Sequence, residues 1–165
     1  MVTKVNGHNS LKINKYVLSL LHRFVLGITL ISLFSSGFAA EWQWSVVVRG
    51  SLENPGTTRA FLWIPPDCKK IRGVIVAQHN MEEIMILENM NFRKTLGELG
   101  FAEIWIAPSF DHLFRFNKGA GETFNDLMVD LAAESGYYEL IYAPVICIGH
   151  SAAASWPYYF AAWNS

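Results

Sequence analysis

The side chain best suited to covalent chemistry in this 165-residue chain lies in the run Gly149-His150-Ser151-Ala152-Ala153. A serine hydroxyl is a weak nucleophile until a base activates it and a fixed turn presents it. The apolar run VICI precedes Ser151, and an alanine- and aromatic-rich segment, AAASWPYYFAAW, follows. That order predicts a serine at a sharp strand-to-helix turn. At such a turn, side chains two positions to either side of the serine would collide with the strand and the helix. Gly149 meets the need for a small residue, and Ala153 puts only a methyl group in the second small position. The helix start also favours developing negative charge, which makes the Ala152 N–H a candidate oxyanion donor. His150 is expected to point away from Ser151.

A second group of residues could complete that donor pair. Gln78-His79-Asn80-Met81 follows the apolar run GVIVA. Either the side-chain amide of Asn80 or the backbone N–H of Met81 could donate to an oxyanion there. His79 is read as a structural histidine bonding its loop. Asp111 and His112 are adjacent in a loop, where such pairs cap and solvate more often than they catalyse. Asp126 and Asp130 fall on the polar side of a helical stripe. No C-x-x-C or H-E-x-x-H spacing occurs, so neither a metal site nor a cofactor is expected. Cys68 and Cys147 are read as separate thiols rather than a disulfide.

The elements that must carry these residues alternate. Residues 42–49 (WQWSVVVR) and 59–64 (RAFLWI) are strand-like, with the turn-rich SLENPGTT between them. Trp42 and Trp44 are expected on one face of the first strand. Residues 73–77, 101–107 and 144–148 are short, continuously apolar runs, the pattern of parallel strands covered on both faces. Phe92, Leu96 and Leu99 recur at helical spacing before Gly100, and Phe124, Leu127, Met128 and Leu131 before Gly136. The order implies an α/β chain with an open, doubly wound, mostly parallel sheet of about five strands.

Charge is unevenly distributed. The chain has 13 basic and 14 acidic residues, a net charge of −1. Lys4, Lys12, Lys15 and Arg23 lie in the first forty positions, which hold no acid. Without them, nine basic residues face fourteen acidic ones, a balance that argues against nucleic acid as a partner. Residues 24–40, FVLGITLISLFSSGFAA, carry no charge and end in small residues. Basic, apolar and small-residue segments in that order predict a signal peptide over 1–40, cleaved after Ala39 or Ala40. An uncleaved membrane anchor is the alternative. The expectation is a periplasmic or secreted product without stable membrane association after cleavage.

The segments GVIVAQHN, FAEIWIAPSF and VICIGHSAA, in this order, resemble the third, fourth and fifth strands of an α/β-hydrolase. They are most similar to secreted bacterial esterase- and polyester-depolymerase-like members. The resemblance covers about residues 42–164, and only the serine elbow is a specific motif. It implies carboxylic-ester hydrolysis through an acyl-enzyme on Ser151. Ala152, with a residue at Asn80 or Met81, would form the oxyanion hole. The implied substrate is a small-molecule or polysaccharide-linked ester. In that family an acid and a histidine follow the serine, and neither type occurs after Ser151. Residues 41–165 are therefore expected to be the incomplete N-terminal half of such a domain, ending in the helix after the elbow and inactive by itself. Two other readings stay open: a peptidase of the same fold, and a non-catalytic exported module binding through Trp156, Tyr158, Tyr159, Phe160 and Trp163.

Overall fold

The computed structural model describes residues 42–165, so the expected signal peptide lies outside the described residues. Strands form where the apolar runs predict them: β1 (Trp44–Val47), β2 (Arg59–Trp63), β3 (Gly73–Gln78), β4 (Phe101–Ala107) and β5 (Val145–Ile148). Helices α1 (Glu83–Leu87) and α2 (Met90–Leu99) join β3 to β4. Helix α3 (Ala120–Ser135) lies between β4 and β5, and α4 (Trp156–Trp163) follows β5. Gly100 and Gly136 end α2 and α3 in the left-handed conformation, at φ +69° and +79°. That region favours glycine because it has no Cβ to clash.

The sheet order is β1-β2-β4-β3-β5. β4 pairs with β3, and β3 with β5, in parallel. β1 with β2, and β2 with β4, are antiparallel. The sheet is thus mixed, parallel in the half that carries the serine turn, rather than mostly parallel throughout. Connection length explains the difference. The helix-containing links β3–β4 and β4–β5 can return the chain to the same edge, whereas the helix-free β1–β2 link turns it back.

Both faces are covered, and the pleat sorts β3 between them. Val74 and Val76 face Leu62, Ile104, Ile106, the α3 stripe and α4; Ile75 and Ala77 face Trp63, Trp105, Leu87 and Leu96. Each fully buried aliphatic side chain of this kind contributes about 1.5–3 kcal/mol. Two sequence expectations change here. Trp42 precedes β1 and packs on the α2 side, while Trp44 packs on the opposite face. In α2, Leu99 is exposed and Arg93 is buried. Arg93 Nε donates to Glu103 Oε2 on β4 at 2.9 Å, and its guanidinium lies between the Trp42 and Trp63 rings. An ion pair and two aromatic faces outweigh the periodicity of the stripe.

Helix α4 is held by aromatic packing. Trp156 and Phe160 are buried, and Trp163 lies so close over Gly121 of α3 that a Cβ there would meet its ring at 2.4 Å. The five aromatics of this segment therefore divide: Tyr158 and Tyr159 are exposed, and the other three close the core. Phe114 is the hub, with ring contacts to Phe110, Phe124, Trp156, Phe160 and Trp163. Its φ of +45° is strained for an aromatic residue, a cost of order 1–3 kcal/mol. Five aromatic neighbours at about 0.5–1.5 kcal/mol each hold it there.

Candidate functional site

The three loops that could serve the site leave one edge of the sheet, at the C-terminal ends of β3, β4 and β5. The β1–β2 loop reaches the same edge, because Arg59 pairs with Ala107. The turn after β5 has the geometry expected of a presented serine. His150 is extended (φ −117°, ψ 147°) and Ser151 is left-handed at φ +52°. A short 3₁₀ turn over Ser151–Ala154 then leads into α4, which has Pro157 in its first turn. Ala153 N–H donates to the His150 carbonyl at 3.0 Å. A Cβ on Gly149 would lie 2.1 Å from the Ala153 carbonyl oxygen, so close approach to backbone explains the glycine. The Ala153 methyl is buried in the core, whereas Ser151 and Ala152 are exposed. The Ala152 N–H precedes the first hydrogen bond of the turn and has no partner among the described residues.

The loop after β3 is tied to this turn at two points. Asn80 Nδ2 donates to the His150 carbonyl at 2.7 Å, and His150 N–H donates to Glu83 Oε1 at 2.7 Å. The other carboxylate oxygen of Glu83 accepts Met81 N–H at 3.0 Å and Glu82 N–H at 3.1 Å. Both second-donor candidates, the Asn80 amide and the Met81 N–H, are therefore already hydrogen-bonded. Either must release its partner to meet an oxyanion. The backbone N–H of Asn80 itself has no partner among the described residues. Burial by itself raises the Glu83 pKa, but the N–H groups of His150, Glu83, Met81 and Glu82 outweigh it and hold the carboxyl below its ordinary value. Nothing in the paired acids Glu82-Glu83 signals which of them turns inward.

The loop after β4 is clamped by Gln78. Its Oε1 accepts Phe110 and Asp111 N–H, and its Nε2 donates to the Asp111 carbonyl. Asp111 is buried and caps the next turn, accepting N–H from Leu113 and Arg115 and binding the Arg115 guanidinium. His112 belongs to a group that includes two residues not foreseen from sequence. Its Nδ1 lies 2.9 Å from Glu53 Oε2 and 3.1 Å from Ser109 Oγ, and Ser109 Oγ donates to Glu53 Oε2 at 2.6 Å. His112 Nε2 is 2.9 Å from the His79 carbonyl. A carbonyl can only accept, so Nε2 carries a proton.

A serine, a histidine and an acid are thus in mutual contact, but not as a catalytic triad. In a triad the two ring nitrogens face the serine and the acid separately. Here Glu53 and Ser109 share Nδ1, Nε2 faces backbone, and Ser109 is buried. The group latches the β1–β2 loop to the loops after β3 and β4. His79 packs edge-on against Trp105, and its N–H continues the sheet by donating to the Ile106 carbonyl. Among the described residues, no imidazole nitrogen is hydrogen-bonded to Ser151.

Other chemistry is accounted for elsewhere. Among the described residues no cluster of His, Cys, Asp and Glu could hold a metal ion. A depression of about 520 Å³ over β1, β2 and α3 shares no residue with the serine turn. Its arginines are already engaged, Arg49 with Asp130 and Arg59 with Ser45 Oγ. No protein-family model, curated protein or solved structure matches the chain.

Proposed function

We propose that this chain carries the nucleophile of an exported serine hydrolase that cleaves carboxylic esters through an acyl-enzyme on Ser151. One observation carries the reading: an exposed serine at φ +52° between a parallel strand and a helix, with glycine where a Cβ would meet backbone at 2.1 Å. Serine has no intrinsic preference for that conformation. Such strain at an exposed nucleophilic side chain is the mark of a presented group rather than of an ordinary turn. The resemblance to α/β-hydrolases supports the same reading, as does the strand order β1-β2-β4-β3-β5 with its serine turn after β5.

The chemistry runs from this geometry. Ser151 Oγ attacks the ester carbonyl as a base takes its proton, and the Ala152 N–H donates to the developing oxyanion. The ester C–O bond then breaks, and the proton passes to the departing alkoxide to give alcohol and acyl-Ser151. Water hydrolyses the acyl group to the acid. A second N–H must come from the loop after β3, with that of Asn80 the one not otherwise engaged. The step also requires a base for the hydroxyl proton, and no described imidazole is bonded to Ser151. The test therefore supplies one. In imidazole buffer at neutral pH, the chain should release nitrophenolate from p-nitrophenyl butyrate above the buffer rate, and Ser151→Ala should not. Equal rates for the two proteins would sink the assignment. Cleavage of p-nitroanilides but not esters would favour the peptidase reading.

A further inference from the structure

We propose that Glu83 is the positioning residue of the Ser151 elbow, its carboxylate holding the His150 backbone in register with the loop that follows β3. This rests on the reading of Ser151 as the nucleophile and adds the residue that keeps it in place. Glu83 is 1% exposed, and both of its oxygens are engaged. It cannot touch substrate from there, so it acts through His150.

The arrangement is a clamp on a single residue. His150 N–H donates to Glu83 Oε1, while the His150 carbonyl accepts from Asn80 Nδ2 at 2.7 Å. Both peptide groups of the residue immediately before Ser151 are thereby bonded to the segment that follows β3, the carbonyl to the loop at Asn80 and the N–H to Glu83 at the start of α1. Glu83 Oε2 meanwhile gathers the N–H groups of Met81 and Glu82, which fixes that loop relative to the same carboxylate. One anion thus sets the spacing between the turn bearing Ser151 and Ala152 and the loop that must supply the second oxyanion donor. A buried carboxylate is stable here because the N–H groups of His150, Met81 and Glu82 hydrogen-bond it, with its own backbone N–H adding to them, and hydrogen bonds to a charged acceptor are the stronger class. Removing it would leave all three donors without a partner. Glu83→Gln is also damaging, because an amide offers one acceptor oxygen and turns an NH₂ group towards N–H donors.

Amide hydrogen exchange, read by NMR on the full 165-residue chain, tests this directly. Relative to a core-destabilised control, Leu131→Ala, the His150 amide should exchange about 10- to 100-fold faster in Glu83→Ala. In the presence of imidazole, the maximal rate at which a fluorophosphonate modifies Ser151 should fall in Glu83→Gln but not in Leu131→Ala, with the probe's binding constant little changed. An effect on folding alone would move both variants together. A wild-type measurement covers the case in which the variants do not fold. Glu83 is held below its ordinary pKa, so the protection it confers on His150 is present above the ordinary carboxylate range and lost as pH falls through its folded value. Unchanged His150 protection in a folded Glu83→Ala protein, or protection that persists through acid until global unfolding, would overturn the proposal. If His150 responds while wild-type Ser151 stays unmodified, the clamp stands and the hydrolase reading falls.

Discussion

Replacing Gly149 with alanine would add one methyl group, and the structure says where it must go. Its carbon would lie 2.1 Å from the Ala153 carbonyl oxygen, 2.6 Å from the Ala153 carbonyl carbon and 3.2 Å from the Ala154 nitrogen. All three are backbone atoms, so no side-chain rotation relieves the clash. The 3₁₀ turn over Ser151–Ala154 must move by at least about 1.3 Å to reach ordinary contact distance, against the buried Ala153 and Trp156 beneath it. Overpacking usually costs about 1–3 kcal/mol, and a contact made wholly with backbone belongs at the top of that range. Gly97→Ala is the matched control. The new methyl there would sit 3.7 Å from Pro65 Cβ, an ordinary contact, inside α2. That change should stabilise the protein by roughly 0.5–1 kcal/mol through helix propensity. Urea unfolding followed by tryptophan fluorescence reads both, with the Gly149→Ala midpoint well below wild type and the Gly97→Ala midpoint above it. If Gly149→Ala came within about 0.5 kcal/mol of wild type, the range of neutral surface changes, the close-approach argument would be refuted.

Two further outcomes follow from buried ionisable groups. Burial pushes the Glu103 carboxyl up to about 7 in spite of Arg93 beside it. The folded state then holds that proton more tightly than the unfolded chain does. Its contribution is full below the ordinary value of 4.5 and is lost as pH rises through about 7, with a slope of at most about 1.4 kcal/mol per pH unit. Glu103→Gln should flatten the urea midpoint between pH 5 and 8, and a wild-type midpoint that rises over that interval would contradict the sign. Burial likewise pushes the Cys147 thiol up to about 12, which leaves a thiolate fraction of about 10⁻⁴ at pH 8. Iodoacetamide should modify the partly buried Cys147 rapidly only after denaturation, and rapid native-state alkylation would contradict the raised thiol pKa.

Local pattern made the elements legible and left their contacts hidden. Each β-branched run became a strand within about two residues of its expected ends, because short apolar runs bounded by turn residues have few alternatives. The glycine stops of α2 and α3 were equally local. Strand direction was not, since pairing depends on partners far along the chain. Arg93 took a core position that its periodicity did not suggest, because Glu103, Trp42 and Trp63 converge on it. At the candidate site, the tight strand-to-helix turn through Gly149 and Ser151 was readable from spacing alone. Glu83 was not, because the chain shows two adjacent acids and only the folded elbow selects one. Glu53 and Ser109 sit in turn-rich segments and meet His112 only through tertiary structure. Phe114 belongs to no periodic stripe, yet it anchors α4, the helix that continues from the serine turn.

On the function proposed above, Ser151 is a presented nucleophile awaiting a base. The most direct measurement is peptide-level mass spectrometry of the chain after exposure to a fluorophosphonate, with and without added imidazole. One adduct is expected, on Ser151, formed slowly in plain buffer and much faster with imidazole, and absent from Ser151→Ala. Modification spread over other serines or tyrosines, or carried equally by Ser151→Ala, would contradict the claim. Rapid labelling of Ser151 without imidazole would instead show that a base already reaches it.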